Sequence, residues 1–263
     1  MNYEPRNSGF SLTEVLMAIG VLAVGMIFVA GVFPVGLYFA AVSTEQTIAA
    51  VAADEAFAKI RLYGDPNDSK TEDVKLDQLK VEELTDFNNI SVFPALAEAD
   101  PCEFTYPSNN TELSQRRYSW SALCRLTDPY DDVNNPNPAV QVTVFVCRKT
   151  GANLKYPNPA GGGTVDWPVP VNVDVSTVPG RLDELKITNQ QEKIFINDGC
   201  TIVDNRTGRI YRVLERYPSP DDTILLNRDW DDTSGSPAVW VIPPAANSGK
   251  SPCIAVYQKT IRF

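Results

Sequence analysis

The chain has 263 residues, 43% of them apolar and 21% charged, an ordinary composition for one or two globular domains. Its net charge of −10 argues against nucleic acid as the main partner, because backbone phosphates reward a basic surface. It contains no histidine, which removes Ser-His-Asp and Cys-His catalysis and His-ligated zinc, and its five cysteines are too few for a disulfide scaffold.

Between Glu14 and Glu45 no residue is charged, and Val15 to Val42 is a run of 28 mostly apolar residues. As a helix this run is roughly 42 Å long, more than the ~30 Å hydrocarbon core of a bilayer. It is too long for a soluble core helix or an ordinary signal-peptide core. A plain single-pass anchor is one reading, and a secretory signal cut at the poor site Ala41-Val42-Ser43 is another. A third begins upstream, in Arg6-Asn7-Ser8-Gly9-Phe10-Ser11-Leu12-Thr13-Glu14-Val15-Leu16. A short polar leader ends at Gly9, Phe10 opens the apolar stretch, and one carboxylate, Glu14, sits in its first turns. A lone acid costs roughly 2.5–3.5 kcal/mol at a bilayer centre and less near the interface, so it calls for a partner.

Gly9 to Leu16 closely resembles the processing signature of type IV prepilins and type II secretion pseudopilins, and the likeness extends to about Ile60. The agreeing features are the short leader, Gly before the cut, Phe after it, the acid inside the mature helix and the long apolar run. The resemblance implies that a membrane aspartyl peptidase, the prepilin peptidase, cuts between Gly9 and Phe10 and methylates the new amine. Arg6 is the leader's only basic side chain and Glu4 offsets it, a small departure from the positive-inside pattern. In a growing filament the Phe10 amine can meet Glu14 of a neighbouring subunit. In low dielectric a subunit docked at the wrong height then leaves two unpaired charges, so Glu14 is expected to check register. Pro34, between Gly31 and Gly36, removes a backbone donor and is expected to bend or loosen the helix. Pilins commonly carry a helix breaker here, although membrane helices also simply tolerate Gly and Pro. Gly20, Gly25, Gly31 and Gly36 lie five or six apart and make no GxxxG face.

Glu45 to Leu62 keeps a partial helical rhythm through Ile48, Val51 or Ala52, Glu55 or Ala56, Lys59 and Ile60. Tyr63-Gly64-Asp65-Pro66 is a stop signal. One helix of roughly fifty residues is predicted, its first half in the membrane and its second packed on a C-terminal domain. Residues 63–115 follow as an acidic connector, with twelve acidic and three basic residues. Glu72 to Glu83 is a candidate short helix. Asp65 to Glu72 offers oxygen ligands but lacks the turn glycine and the spacing of a calcium loop, so no metal is expected.

From Arg116 onward the charge nearly balances, sixteen acidic against seventeen basic residues, and the pattern turns to β. Tyr118 to Cys124 and Val140 to Val146 alternate with period two, predicting an antiparallel pair with one buried face across the loop Asp128 to Pro138. This order is also similar to the sheet of minor pilins. Thr150 to Gly180, with Gly161-Gly162-Gly163 and many prolines, reads as an irregular excursion; no Lys-Ser/Thr follows the glycines, so it is not a phosphate loop. Short strands are predicted at Thr201–Val203, Arg209–Leu214, Thr223–Leu226, Ala238–Ile242 and Ile254–Tyr257, with a hairpin signal at Asp204 to Gly208. Their spacing suits a small sandwich or barrel, which either extends the first sheet or forms its own lobe.

Arg206, Arg209, Arg212 and Arg216 form a basic stripe for an acidic connector, or pair across strands on a solvated face. Asp221-Asp222 and Asp229 to Asp232 sit among turn formers and read as solvated turns rather than paired catalytic acids. Cys124 and Cys147 are expected on opposite faces of their hairpin, so they cannot bridge; Cys200 with Cys253 stays open, and Cys102 makes the number odd.

The expected fold is α+β, a pilin-like lollipop with a long N-terminal helix (transmembrane over 15–42) packed on a C-terminal antiparallel β domain. The expected segments are a leader (1–9), the helix (10–62), the connector (63–115) and a β-rich head of one or two lobes (116–263). The expected function is a structural subunit, processed at Gly9 and Phe10, assembled through Glu14 and Pro34 into a type IV pilus or type II secretion filament as a minor subunit. Its partners are the prepilin peptidase, other pilin or pseudopilin subunits and the membrane assembly platform. It lies in the inner membrane with its C-terminal domain outside the cytoplasm, and it is expected to be no enzyme and to hold no cofactor. The alternative is a glycan-binding or enzymatic domain on a pilin-type anchor, with Trp167, Trp230 and Trp240 lining its site.

Overall fold

The computed structural model describes residues 9–63, 79–81, 83–86, 101–108, 116–128, 138–149, 151, 154–158, 163–189, 191–217, 222–231, 237–245 and 251–262. The chain divides into two units, with the boundary between Thr47 and Ile48, inside the single long helix α1 (Leu12–Tyr63, 52 residues). The helix runs unbroken through Pro34.

In the first unit α1 leaves its apolar side chains uncovered all round: Leu16, Val21, Met26, Phe28, Phe33 and Phe39 are all exposed. Thr44 and Thr47 turn their hydroxyls back to the carbonyls of Ala40 and Ser43, at 2.8 and 3.0 Å, so neither needs an outside acceptor. The span from Leu12 is long and apolar enough to cross a membrane.

In the second unit the rest of α1 covers one face of an antiparallel sheet. The strands are β1 (Thr85–Asp86), β2 (Thr105–Tyr106), β3 (Tyr118–Leu126), β4 (Ala139–Arg148) and, much later in the chain, β13 (Cys253–Arg262). Their order is β1-β3-β4-β13, and β2 also pairs with β3. The helix contributes Ala49, Ala52, Ala53, Ala56, Phe57 and Ile60 to a core shared with Trp120, Ala122, Cys124 and the valines 140, 142, 144 and 146. Of the alternatives in the predicted rhythm, this face takes Ala52 and Ala56: Val51 is exposed and the alanines are buried. Small residues let the helix backbone approach a sheet already filled by valines and Trp120, so close packing selects alanine over the more hydrophobic Val51. Lys59, partly buried, donates to the Glu103 carbonyl at 2.8 Å and pairs with the Glu55 and Glu103 carboxylates at 3.1 and 2.8 Å.

The β3–β4 pair forms as expected, but it is buried on both faces rather than one. The second face carries Leu123, Phe145, Cys147, Cys253 and Val256, covered by Val203, Ile210, Trp240 and Ile242. The chain that supplies this cover lies between β4 and β13. It contains the small hairpin β5 (Tyr156–Pro157) and β6 (Thr164–Val165), then β7 (Val171–Val178), β8 (Arg181–Ile187), β9 (Thr201–Asp204), β10 (Ile210–Tyr217), β11 (Thr223–Leu226) and β12 (Ala238–Val241). The last six close into an antiparallel barrel in the order β10-β11-β8-β7-β12-β9. Closure removes every unpaired strand edge. The barrel interior is Val173, Val175, Leu185, Ile187, Ile202, Tyr211, Val213, Ile224, Leu226, Val239 and Val241, alternating along each strand as period-two packing requires.

Two expectations are corrected here. Thr150 to Gly180 is not wholly irregular, since it includes β7, and β8 lies just beyond it. The predicted late strands also divide: four join the barrel, while the last, β13, returns to pair with β4. The candidate helix Glu72–Glu83 is not helical where it is described, at residues 79–81 and 83; its remainder, the calcium-like stretch 65–72 and the loop 129–137 lie outside the described residues.

The β9–β10 turn pins the barrel to the sheet. Asp204 accepts from the Arg206 and Thr207 amides at 3.1 and 3.2 Å, and from the Thr207 hydroxyl. Gly208 closes the turn at φ +70°, where a side chain is strained, and a Cβ there would stand 2.9 Å from Gln141 Oε1 and 3.1 Å from Arg125 Nε. Arg125 donates to Gln141 at 2.6 Å and to the Val81 and Arg206 carbonyls at 2.9 and 3.1 Å, while Gln258 donates to the Gly208 carbonyl and to Thr143. Gly208→Val is expected to cost about 1–3 kcal/mol and lower the unfolding midpoint of the detergent-solubilised full chain by several degrees. A wild-type midpoint would show that this turn does not hold the barrel in place.

Candidate processing and assembly site

Gly9, Phe10 and Ser11 precede the first helical residue, so the Gly9–Phe10 peptide bond lies outside the helical hydrogen-bond ladder. Phe10 is 82% exposed. A Cβ built on Gly9 meets nothing within 4 Å. Any demand for glycine here therefore comes from outside the chain. The same holds for Gly20, Gly25, Gly31 and Gly36.

Ser11 caps the helix. Its carbonyl accepts from the Glu14 and Val15 amides at 3.0 and 3.2 Å, and its Oγ accepts from the Glu14 amide at 3.3 Å. Ser11-Leu12-Thr13-Glu14 is thus the S-x-x-E capping pattern, with Glu14 at the third helical position, a signal present in the sequence but missed in reading it. Glu14 has a second reason to sit there: a carboxylate in the first turn offsets the partial positive charge of the helix N-terminus, worth about 0.3–1 kcal/mol. A free amine made at Phe10 would add a full positive charge at that same end. Glu14 is the nearest acid in the sequence to neutralise it, in its own chain or from a neighbour.

Residues 5–30 match the model of the prokaryotic N-terminal methylation motif. The chain carries the type IV pilin and pseudopilin signature. No curated protein and no solved structure matches the chain. The signature sits on one long N-terminal apolar helix followed by a domain rich in antiparallel strands, the α+β plan expected of a pilin-like chain.

The remaining candidates do not converge on a second centre. Trp230 is buried in the barrel, its ring 4.9 Å from that of Tyr211; Trp240 donates to Asn205 at 2.6 Å where barrel meets sheet; Trp167 lies under Lys149 at 4.6 Å. Arg209 is ion-paired with Asp231, Arg216 donates to the Ile196 carbonyl at 3.3 Å, and Arg206 belongs to the β9–β10 turn. Asp222 is paired with Lys193. Arg209 and Arg216 thus use their side chains within the chain, although Arg216 Nε stays buried without a partner among the described residues, while the Arg212 amide donates to Asn227 Oδ1 at 2.9 Å. Among the described residues no group of three His, Cys, Asp or Glu side chains gathers as a metal site. Cys124 faces the helix and Cys147 the barrel, so these two sulfurs do point apart, and the Cys102 side chain lies outside what is described. Burial pushes the thiols of Cys124 and Cys147 well up and that of Cys200 up to about 12, so none of the three rests as a thiolate at neutral pH.

Ser11→Ala removes the cap at a cost of about 1 kcal/mol, so hydrogen exchange of the Glu14 amide should quicken about fivefold in detergent-solubilised protein. Unchanged exchange would show that the Ser11 hydroxyl does not hold the first turn.

Proposed function

We propose that this chain is a pilin-like or pseudopilin-like structural subunit, cut between Gly9 and Phe10, methylated on the new amine, and assembled into a type IV pilus or type II secretion filament. The observation that carries the proposal is the methylation motif at the head of a helix that holds one acid, Glu14, before an uncharged span reaching Thr44. The physical logic is charge matching. Two positive groups, the amine and the helix end, come together at Phe10, and an apolar environment strengthens their need for a carboxylate. In a filament, Glu14 of one subunit meets the amine of the next, and the uncovered apolar helix packs against its neighbours. The partners are the prepilin peptidase, other pilin subunits and the inner-membrane assembly platform. The second unit then lies outside the cytoplasm.

A minor role fits the size of that unit. A barrel added to the sheet makes a bulky head, which hinders dense helical packing. An enzymatic role finds no support in the buried thiols, the absent histidine or the scattered tryptophans.

Two measurements test the proposal. N-terminal sequencing and intact mass of the chain from native membranes should show a mature start at N-methyl-Phe10, and Gly9→Val should accumulate the precursor while leaving the unfolding midpoint as in wild type. A mature chain that still begins at Met1 would reduce the segment to a plain anchor. Glu14→Ala should be processed normally yet enter wild-type filaments at least about a hundredfold less, since breaking a desolvated pair costs about 3–5 kcal/mol. Wild-type incorporation of that variant would remove the charge-matching argument.

A further inference from the structure

Cys147 is the penultimate residue of β4 and Cys253 opens β13, and the two face each other directly across the antiparallel pair. The Arg148 amide donates to the Pro252 carbonyl at 2.9 Å. That bond joins the residue after Cys147 to the residue before Cys253, which makes Cys147 and Cys253 a non-hydrogen-bonded pair. At such positions the Cα atoms stand about 4.5 Å apart and the side chains are closest, within the span a disulfide accepts. Both side chains point to the same face of the sheet, in the cluster with Phe145 and Val203. The Cys253 thiol donates to the Ala255 carbonyl at 3.7 Å, beside the bulge. Cys147 is fully buried and Cys253 is half-buried, so one sulfur is sheltered and its partner is open to exchange. Past Cys253 the register shifts by a bulge at Ile254, so Ala255 rather than Ile254 faces Val146; the cysteines are the last pair before it.

We infer that Cys147 and Cys253 are a disulfide site, and that the bond clamps the two chain crossings through which the barrel is joined to the sheet. The step needs an oxidised disulfide donor, a protein or small-molecule disulfide. The Cys253 sulfur, as thiolate, attacks one donor sulfur and releases the other as a thiolate, forming a mixed disulfide. Cys147 gives up its proton, attacks the Cys253 sulfur and expels the second donor thiol. Two chain thiols are oxidised to one disulfide, one donor disulfide is reduced to two thiols, and the two protons end on them. The bond closes a covalent loop over residues 148–252, a length for which loop-closure arguments give strong stabilisation. That cells make the bond rests on the extracytoplasmic placement proposed above; the geometry of the pair does not.

The test uses the full-length chain in detergent, reduced and then treated with oxidised glutathione, acid-quenched, unfolded, alkylated and mapped by mass spectrometry. The expected result is a linked peptide joining Cys147 to Cys253 and an unfolding midpoint raised by about 10 °C, reversed by dithiothreitol. Cys253→Ser, at the more exposed position, should fold as the reduced chain does and show neither the link nor the rise. Alkylation of both cysteines after oxidation, or a link from Cys253 to Cys200 instead, would overturn the inference. The same map on protein acid-quenched directly from cells separates the two claims. A reduced pair in cells that links readily in glutathione supports the site and counts against the extracytoplasmic placement.

Discussion

A sheet covered on both sides must be apolar on both sides, and much of the second unit follows from that constraint acting on β3 and β4. One face of the pair receives the helix, through Ala52, Ala56 and Ile60 against Trp120 and the β4 valines. The other receives the barrel, through Val203 and Trp240 against Leu123 and Phe145. Each fully buried side chain of this size contributes about 1.5–3 kcal/mol, so neither cover can be removed without exposing a large apolar area. Two long polar side chains bridge this junction, while the buried hydroxyls of Ser119 and Ser121 on the same face of β3 find no hydrogen-bond partner among the described residues. Arg125 and Gln258 spend their donors on carbonyls and side-chain oxygens of the sheet, the β9–β10 turn and Val81.

The first unit follows the opposite rule. Its helix buries nothing within the chain, and a Cβ could be added at each of its glycines without meeting an atom. Such a surface is stable only in lipid or against other helices. The placement of the capping serine and of Glu14 at the same end concentrates the segment's polar chemistry in one turn, where the methylation motif also lies.

What could be read from the sequence was whatever depended on local pattern. Gly9, Phe10 and Glu14 stand in a contiguous motif, the helix announces itself by the lack of charge from Val15 to Thr44, and Tyr118–Cys124 and Val140–Val146 alternate cleanly. The misses are of other kinds. Val171, Val173 and Val175 alternate as well, but Pro168, Pro170 and Pro179 around them imitate a loop. Arg181 to Ile187 carries four charges in seven residues, so only its pairing with β7 and β11 makes it a strand. On the helix the sequence leaves Val51 or Ala52 and Glu55 or Ala56 open, and close approach to the sheet decides both for alanine. The facing of Cys147 and Cys253 is a matter of register between strands far apart in the chain, which no local pattern encodes.

The barrel leaves the sheet at the end of β4 and returns at the start of β13, and these two points are neighbours. It is therefore a side loop in the mechanical sense. In the proposed filament a pull along α1 would reach β3 and β4 and pass to β13 by shear across a nine-residue register, without travelling through the barrel strands. The barrel can thus differ in size or content while the backbone hydrogen bonds of β3, β4 and β13 stay in place, provided an apolar cover for Leu123 and Phe145 remains.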